Sequence, residues 1–359
     1  MSSKHLFPYD WQICGGAGFP AKGIEKNDYK VFGTFSCGGG SSMGFKLAGY
    51  HVLGGVEIDA RIANYYQQNL HPEIFYNLDV REFNKQENLP EVLYNLDVLE
   101  GSPPCSTFSM AGSREEAWGK EKRFAEGQAL QTLDDLVFVY GDTILKLLPK
   151  VFILENVKGL LAGNAKAYVR QVVKKLSIAY RCQLFLLNGA SMGLPQTRQR
   201  VFIIGIRNDL KDEVPPLKLE FHEDPILFKD IMDGEGENNL TEREQFAWEH
   251  KKMSDHSIAD VLSRNGQKHT GFTSKFVKDN QVPYTITAGS RNICYRYPRV
   301  LTVDEIRKIS SFPSDYQCDE NKFVWLMGMS VPPIMMAHIA HQIKLQWLDK
   351  LSSSASREA

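Results

Sequence analysis

A cysteine held in a proline-rich turn, Ser102-Pro103-Pro104-Cys105-Ser106, follows directly on a short apolar run, Val98-Leu99-Glu100. Isolated cysteines are usually small buried hydrophobes, but two prolines before this one and the polar run Ser106-Thr107-Phe108-Ser109 after it describe a stiff, exposed turn. A thiol presented that way becomes a nucleophile once its pKa is lowered. Fifty residues on (155 − 105), the run Val151-Phe152-Ile153-Leu154 delivers a carboxyl group in Glu155-Asn156-Val157. A third segment, Gly193-Leu194-Pro195-Gln196-Thr197-Arg198-Gln199-Arg200, leads into Val201-Phe202-Ile203-Ile204. Side chains alternate along an extended chain, so Arg198 and Arg200 face the same way and suit phosphate or a carbonyl oxygen. Singly these are an ordinary turn, a solvated acid and a basic loop. Converging at strand ends, thiol, carboxyl and guanidinium groups can attack, protonate and hold one small ring, which implies an enzyme.

Convergence requires strands that end at a common edge. From Tyr29 short apolar runs alternate with helix-period stretches: Lys30 to Phe35, Val52 to Ile58, Ile74 to Leu78, Asp97 to Leu99, Val151 to Leu154, Gln183 to Leu187 and Val201 to Ile206. Amphipathic segments such as Ala129 to Leu148 and Ala167 to Ser177 separate them, the pattern of crossover units on a mostly parallel sheet. The fold class is α/β, a doubly wound Rossmann-like domain with a smaller loop-rich one. The first crossover carries the glycine cluster Ser36-Cys37-Gly38-Gly39-Gly40 before a helix, where backbone can approach a ligand and N–H groups point outward. Glu57 lies ~20 residues beyond, where ribose hydroxyls are gripped, and Asp79 ends the next strand. No Walker lysine follows the glycines, so a nucleoside cofactor is expected, either a nicotinamide dinucleotide or S-adenosylmethionine.

The chain has 359 residues, 43% of them hydrophobic, enough for one full domain and a smaller one. No apolar run reaches the ~18 residues of a membrane span, and no leader pattern is present, so a cytoplasmic location without membrane attachment is expected. Six scattered cysteines, with no C-x-x-C pair, argue against disulfides and structural zinc. A net charge of −1 neither supports nor excludes a nucleic-acid partner. Residues 1–28 form an irregular extension, 29–208 the catalytic and cofactor-binding domain, 209–290 an acidic then polar region, and 291–349 a return to the first domain. There Met335, Ile339, Ile343 and Trp347 recur as one helical stripe. Residues 350–359 are expected to fray.

Taken in order, Phe35 with its glycine turn, Glu57, Asp79, Pro104-Cys105, Glu155-Asn156-Val157, Gln196-x-Arg198-x-Arg200 and Gly328-x-Ser330-Val331-Pro332-Pro333 resemble the DNA (cytosine-5)-methyltransferases of prokaryotic or phage type. The resemblance covers about residues 29 to 345. It implies S-adenosylmethionine as cofactor and duplex DNA as substrate, with the target base flipped out of the stack. It makes Cys105 the nucleophile at carbon 6 and Glu155 the group facing N3. Arg200 is then the ligand of the cytosine O2, and Arg198 its supporting neighbour. It assigns Phe35, Ser36, Gly38 and Gly39 to the methionine end of the cofactor, Glu57 to the ribose, and Ile58, Asp79 and Val80 to the adenine. Leu136, Met329 and Ser330 fall on the far wall.

Two positions depart from the family pattern: Cys37 stands where glycine is usual, and Met329 where asparagine is usual. Ser106 replaces a common glutamine. By the same resemblance, 209–290 is the target-recognition domain, with Arg264, Lys268, His269, Lys275, Lys278, Arg291 and Arg296 offered to DNA, and Ser109 near the flipped base. The expected partners are double-stranded DNA and a cognate restriction endonuclease acting separately on the same sequence, with the chain a monomer. An RNA cytosine-5 methyltransferase on the same scaffold, or a silent nucleic-acid-binding paralogue, would share much of this pattern.

Overall fold

The computed structural model describes residues 5–13, 18–104, 136–162, 165–269, 274–289 and 291–358. Cys105 and Ser109 lie outside the described residues. Seven strands form one sheet: β1 (Lys30–Thr34), β2 (His51–Val56), β3 (Ile74–Tyr76), β4 (Val98–Gly101), β5 (Val151–Val157), β6 (Tyr180–Asn188) and β7 (Gln199–Arg207), in the order β3-β2-β1-β4-β5-β7-β6. Each apolar run expected to be a strand is one. From β3 to β5 all neighbours are parallel, with the reversal of order between β1 and β4 where doubly wound sheets open a crevice.

The mostly parallel expectation needs one amendment: β7 runs antiparallel and is inserted between β5 and β6. Only ten residues (189 to 198) separate Asn188 from Gln199, too short for a parallel crossover, which takes a dozen or more. The reversal brings the beginning of β7, not its end, to the edge where β5 finishes, with Arg200 opposite Val157.

Alternation along the strands fills both faces. Val31, Val98 and Ile153 face one apolar core, while Phe32, Leu99 and Leu154 face the other. The flanking helices are α1 (Gly40–Leu47), α2 (Ala60–Leu70), α3 (Val80–Lys85), α4 (Leu136–Leu147) and α5 (Ala165–Leu176). Acids three residues beyond the ends of β2 and β3 start the helices that follow. Asp59 accepts from the N–H groups of Arg61 and Ile62 at the head of α2, and Asp79 from Arg81 N at 2.7 Å at the head of α3.

Beyond Arg207 a small module forms around α6 (Glu242–Glu249), α7 (Ile258–Arg264), β8 (Phe276–Val277) and β9 (Ile293–Cys294). It has its own apolar cluster, in which Ala247, Val261, Leu262 and Phe276 are buried. The chain returns through α8 (Val303–Ser310), α9 (Glu320–Met329) and α10 (Pro333–Ile343), and the last carries the expected stripe. Met335, Ile339, Ile343 and Trp347 are all fully buried. Residues four apart drift by about 40° per step around an α-helix. A π-helical turn, Lys344–Leu348, widens the winding where Trp347 must still face inward. The chain then continues as α11 (Asp349–Glu358), helical where fraying was expected. The helical stretch Glu320–Ser353 contains a window long and apolar enough to cross a membrane, but 83% of that window is buried within the fold. On the opposite side Gly40 permits contact: a Cβ there would lie 1.9 Å from the Val331 carbonyl oxygen.

The N-terminal extension is part of this core. Phe7 and Trp11 are buried, Trp11 donates its indole N–H to the Ser311 carbonyl at 2.9 Å, and Arg307 pairs with Asp10 at 2.8 Å. The small module is joined to α8 by a buried ion pair. Arg299 donates through both terminal nitrogens to Glu305 at 2.8 and 2.9 Å, and its Nε and Nη2 reach the Gly234 and Glu235 carbonyls. Removing one partner strands the other charge away from water. Arg299→Met should therefore lower the unfolding free energy by about 3–5 kcal/mol, with most of it recovered in Arg299→Met/Glu305→Met, as read from urea denaturation.

Candidate active site

A cavity of about 510 Å³ opens where β1, β2, β4 and β5 end and β7 begins. Its floor is the turn after β1. Phe35 and Cys37 both take left-handed backbone conformations, with φ of 54° and 45°, which cost a non-glycine residue roughly 1 kcal/mol each. Cys37 is held there by its backbone N–H, which donates to Glu57 Oε2 at 2.8 Å. Glu57 Oε1 accepts from Asp59 N at 3.0 Å. Burial raises the pKa of Glu57, opposed by these backbone bonds, so the carboxylate is fixed in place by the turn it serves. The Cys37 thiol receives a 3.5 Å bond from the Ser330 hydroxyl, and burial, with Glu57 nearby, pushes its pKa up to about 12. It is an inert thiol that joins the floor to the far wall.

Of the residues assigned to a cofactor, Phe35, Ser36, Glu57, Ile58, Asp79, Val80, Leu136, Met329 and Ser330 line the cavity. Gly38 and Gly39 do not line it. Gly38 instead accepts at its carbonyl from Tyr316 Oη at 2.8 Å, and Gly39 is the N-cap of α1. Asp79 faces the cavity while paired with Arg81 at 3.2 Å.

Glu155, Arg198 and Arg200, the residues assigned to catalysis, line the same cavity. Glu155 is 7% exposed and forms an ion pair with Arg200 Nε at 3.1 Å. Arg198 is buried, and its guanidinium donates to three carbonyls: Ile286 at 3.1 Å, Gly328 at 3.2 Å and Ser330 at 2.9 Å. Burial and the neighbouring Arg200 charge press its pKa down while Glu155 supports the charge; a guanidinium remains a cation under that pressure. Pro103 and Pro104, the last described residues before Cys105, are at the cavity wall, and Asn156 Nδ2 holds the Pro103 carbonyl at 3.2 Å. Asn156 thus ties the turn that leads to the cysteine to the strand that carries Glu155. Sequence reasoning gave this asparagine no role, although its place beside Glu155 was the available signal. Trp325, also in the wall, was missed because it reads as one more apolar helix residue.

The cations expected at DNA divide into two groups. Arg264 is bonded to Asp255 at 2.6 and 2.9 Å, and Arg291 to Glu244 at 2.8 and 3.1 Å, both within the small module. Lys268 is exposed, and Lys275 lies 4.7 Å from the centre of the Tyr284 ring. A second cavity, of about 520 Å³, gathers Lys251, Lys278 and Arg296 around Trp248 and Tyr295. Lys251 Nζ is 3.3 Å from the Trp248 ring centre.

Residues 29–345 match the family model of the C-5 cytosine-specific DNA methylases. The chain belongs to that family. It is 26% identical to the Type II methyltransferase M.FnuDI of Fusobacterium nucleatum, over 89% of this chain and 96% of that one. It is 28% identical to M.NgoPII of Neisseria gonorrhoeae, again over 89% and 96%. Among solved structures, a putative DNA modification methyltransferase encoded within an Escherichia coli prophage superposes with a TM-score of 0.61 at 20% identity, covering 89% of this chain and 99% of that one. This methyltransferase transfers a methyl group from S-adenosylmethionine to carbon 5 of cytosine in DNA.

The donor set fits that cofactor: carboxylates at Glu57 and Asp79 for hydroxyl and amino groups, apolar faces at Ile58, Val80 and Leu136, and the α1 N-terminus for a carboxylate. A hydrogen bond to a charged group contributes about 1.5–3 kcal/mol. Glu57→Ala should therefore weaken S-adenosylmethionine binding roughly 10- to 100-fold by calorimetry, with the melting temperature of the free variant separating lost contact from lost fold.

Proposed function

We propose that methyl transfer runs through a covalent adduct between Cys105 and carbon 6 of a cytosine swung out of duplex DNA. The Glu155–Arg200 pair at 3.1 Å carries this reading, because it sets a carboxyl group and a guanidinium side by side in the wall to which the Pro103–Pro104 turn is tied. Carbon 5 of cytosine is a weak nucleophile on its own. Addition of the Cys105 thiolate at carbon 6 pushes electron density toward it, and Glu155, donating to N3, keeps that charge from accumulating on the ring. Arg200 holds the O2 oxygen, and Arg198 fixes the backbone on which Arg200 stands. Bound S-adenosylmethionine supplies the electrophilic methyl group. Loss of the carbon 5 proton to water then expels the cysteine and restores the ring.

A duplex carrying 5-fluorocytosine at the target has no carbon 5 proton to lose, so the adduct persists. Incubation with tritiated cofactor should give a labelled protein–DNA band that survives denaturation in wild type and is absent in Cys105→Ser. An equal band from Cys105→Ser would remove the cysteine from the mechanism. Glu155→Gln should slow adduct formation by about 10²–10⁴-fold.

Sequence choice is assigned to the small module, with Lys251 as a phosphate ligand at the Trp248–Tyr295 cavity, and the chain acting as a monomer independent of any cognate endonuclease. Lys251 lies against the Trp248 and Tyr295 rings, which suit base faces, whereas Arg264, Arg291 and Arg296 are ion-paired to Asp255, Glu244 and Asp279, and Lys278 is buried on the Met253 carbonyl. Lys251→Glu should weaken duplex binding and reduce the salt dependence of log K by about one contact, measured by fluorescence anisotropy at several salt concentrations.

A further inference from the structure

Glu100 is a buried acid that the mechanism does not use. It lies near the end of β4, is 2% exposed and pairs in the sheet with Gly33 of β1 and Ile153 of β5. Glu155 lies two residues beyond Ile153, so the two acids share a face of the sheet, Glu100 one layer deeper. Gly33 and its neighbour Gly55 on β2 open a trench across that face. A Cβ at Gly33 would fall 2.8 Å from Glu100 Oε1, and one at Gly55 would fall 2.1 Å from Ser36 Oγ. Carboxyl and hydroxyl fill the trench beneath the turn from Phe35 to Gly39. There Glu100 bonds Ser41 in the first turn of α1, while Ser36 Oγ has no hydrogen-bond partner among the described residues. Among the described residues, the titratable groups that feel Glu100 are Tyr66 of α2, Tyr140 of α4 and Glu155 of β5, and none of these is a cation.

We propose that Glu100 couples cofactor binding to a proton: uncharged, it leaves the N-terminus of α1 to the carboxylate of S-adenosylmethionine, and ionised, it competes for that helix end and for Ser41. The proposal rests on assigning the turn after β1 to the methionine end of the cofactor. Burial pushes the Glu100 pKa up to about 8, against the Ser41 bond and with the help of Glu155. The competing charge therefore arrives in the mildly alkaline range. The sign for stability follows from the same shift. A folded-state pKa above the ordinary carboxylate value means that the stability present at acid pH is lost as pH rises toward about 8. Glutamine has the same shape and no proton to lose, so it removes the pH dependence and keeps the packing.

S-adenosylmethionine binding to the whole chain, measured by titration calorimetry between about pH 6.5 and about pH 9.5, tests this. The cofactor's own α-amino group titrates near pH ~8, so wild type is compared with Glu100→Gln, where that contribution is the same. The wild-type affinity should fall roughly tenfold per unit above about pH 8 relative to Glu100→Gln, with proton uptake on binding in wild type that the variant lacks. Glu100→Ala, which empties the trench, should bind more weakly than Glu100→Gln at every pH. The melting temperature of Glu100→Gln should exceed that of wild type by a margin that grows up to about pH 8. Parallel pH curves for wild type and Glu100→Gln, or a folded Glu100→Gln that binds no better than Glu100→Ala, would overturn the proposal. A wild-type chain that binds the cofactor but is unaffected by Glu57→Ala would refute the cofactor-site reading. Binding at no pH would sink both.

Discussion

A buried guanidinium organises this molecule. Arg198 stands just before β7 and takes three carbonyl oxygens from two distant segments, Ile286 on the return from the small module and Gly328 and Ser330 at the end of α9. Its neighbours extend the joint. Gln196 accepts from Ile286 N at 3.1 Å and donates to the Ile309 carbonyl at 3.0 Å, while Thr197 N donates to the Pro283 carbonyl at 2.9 Å. Carbonyl dipoles, not a carboxylate, face most of the charge, so each must be aimed at it. The Gly328–Ser330 wall of the cavity, the Glu155–Arg200 pair and the seat of the small module all take their positions from one short stretch of chain.

Much of the architecture was legible because its signals are local. Seven strands follow from apolar runs such as Val151 to Leu154, and the C-terminal stripe from spacing alone. The acids Glu57 and Asp79 were visible as strand-ending residues, and the structure adds that Asp79 is held by the N–H of Arg81 and Glu57 by those of Asp59 and of Cys37 in the turn after β1. Long-range partnerships were less visible. The N-terminal extension reads as irregular because its periodicity is absent, yet Phe7 and Trp11 fill space that exists only once α8 and α10 are in place. Asn156 is one polar residue after a strand until Pro103 is seen beside it.

The small module shows how charge can mislead. Arginine beside polar, glycine-containing loops suggests a surface for polyanions, and composition does not reveal which cations already have partners. Arg264 and Arg291 answer Asp255 and Glu244, both nearly buried, in a module whose own apolar cluster is small. Removing either arginine would leave a buried carboxylate without its partner.

The reversed strand also explains the least patterned part of the chain. Because β7 begins at the catalytic edge, it ends at the opposite one, where Ile206 lies beside Val151, the first residue of β5. The polypeptide leaves the sheet on the side away from the cavity. Residues 208 to 231 are the way back: Leu217 bonds Gln183, Lys218 bonds Gln346, Glu223 bonds Ser191, and Phe228 reaches Gln281 at the rim. That traverse has no face of its own to bury and so no period. Its prolines and scattered hydrophobic residues are those of a strap laid along a finished surface, with a length set by the height of the sheet.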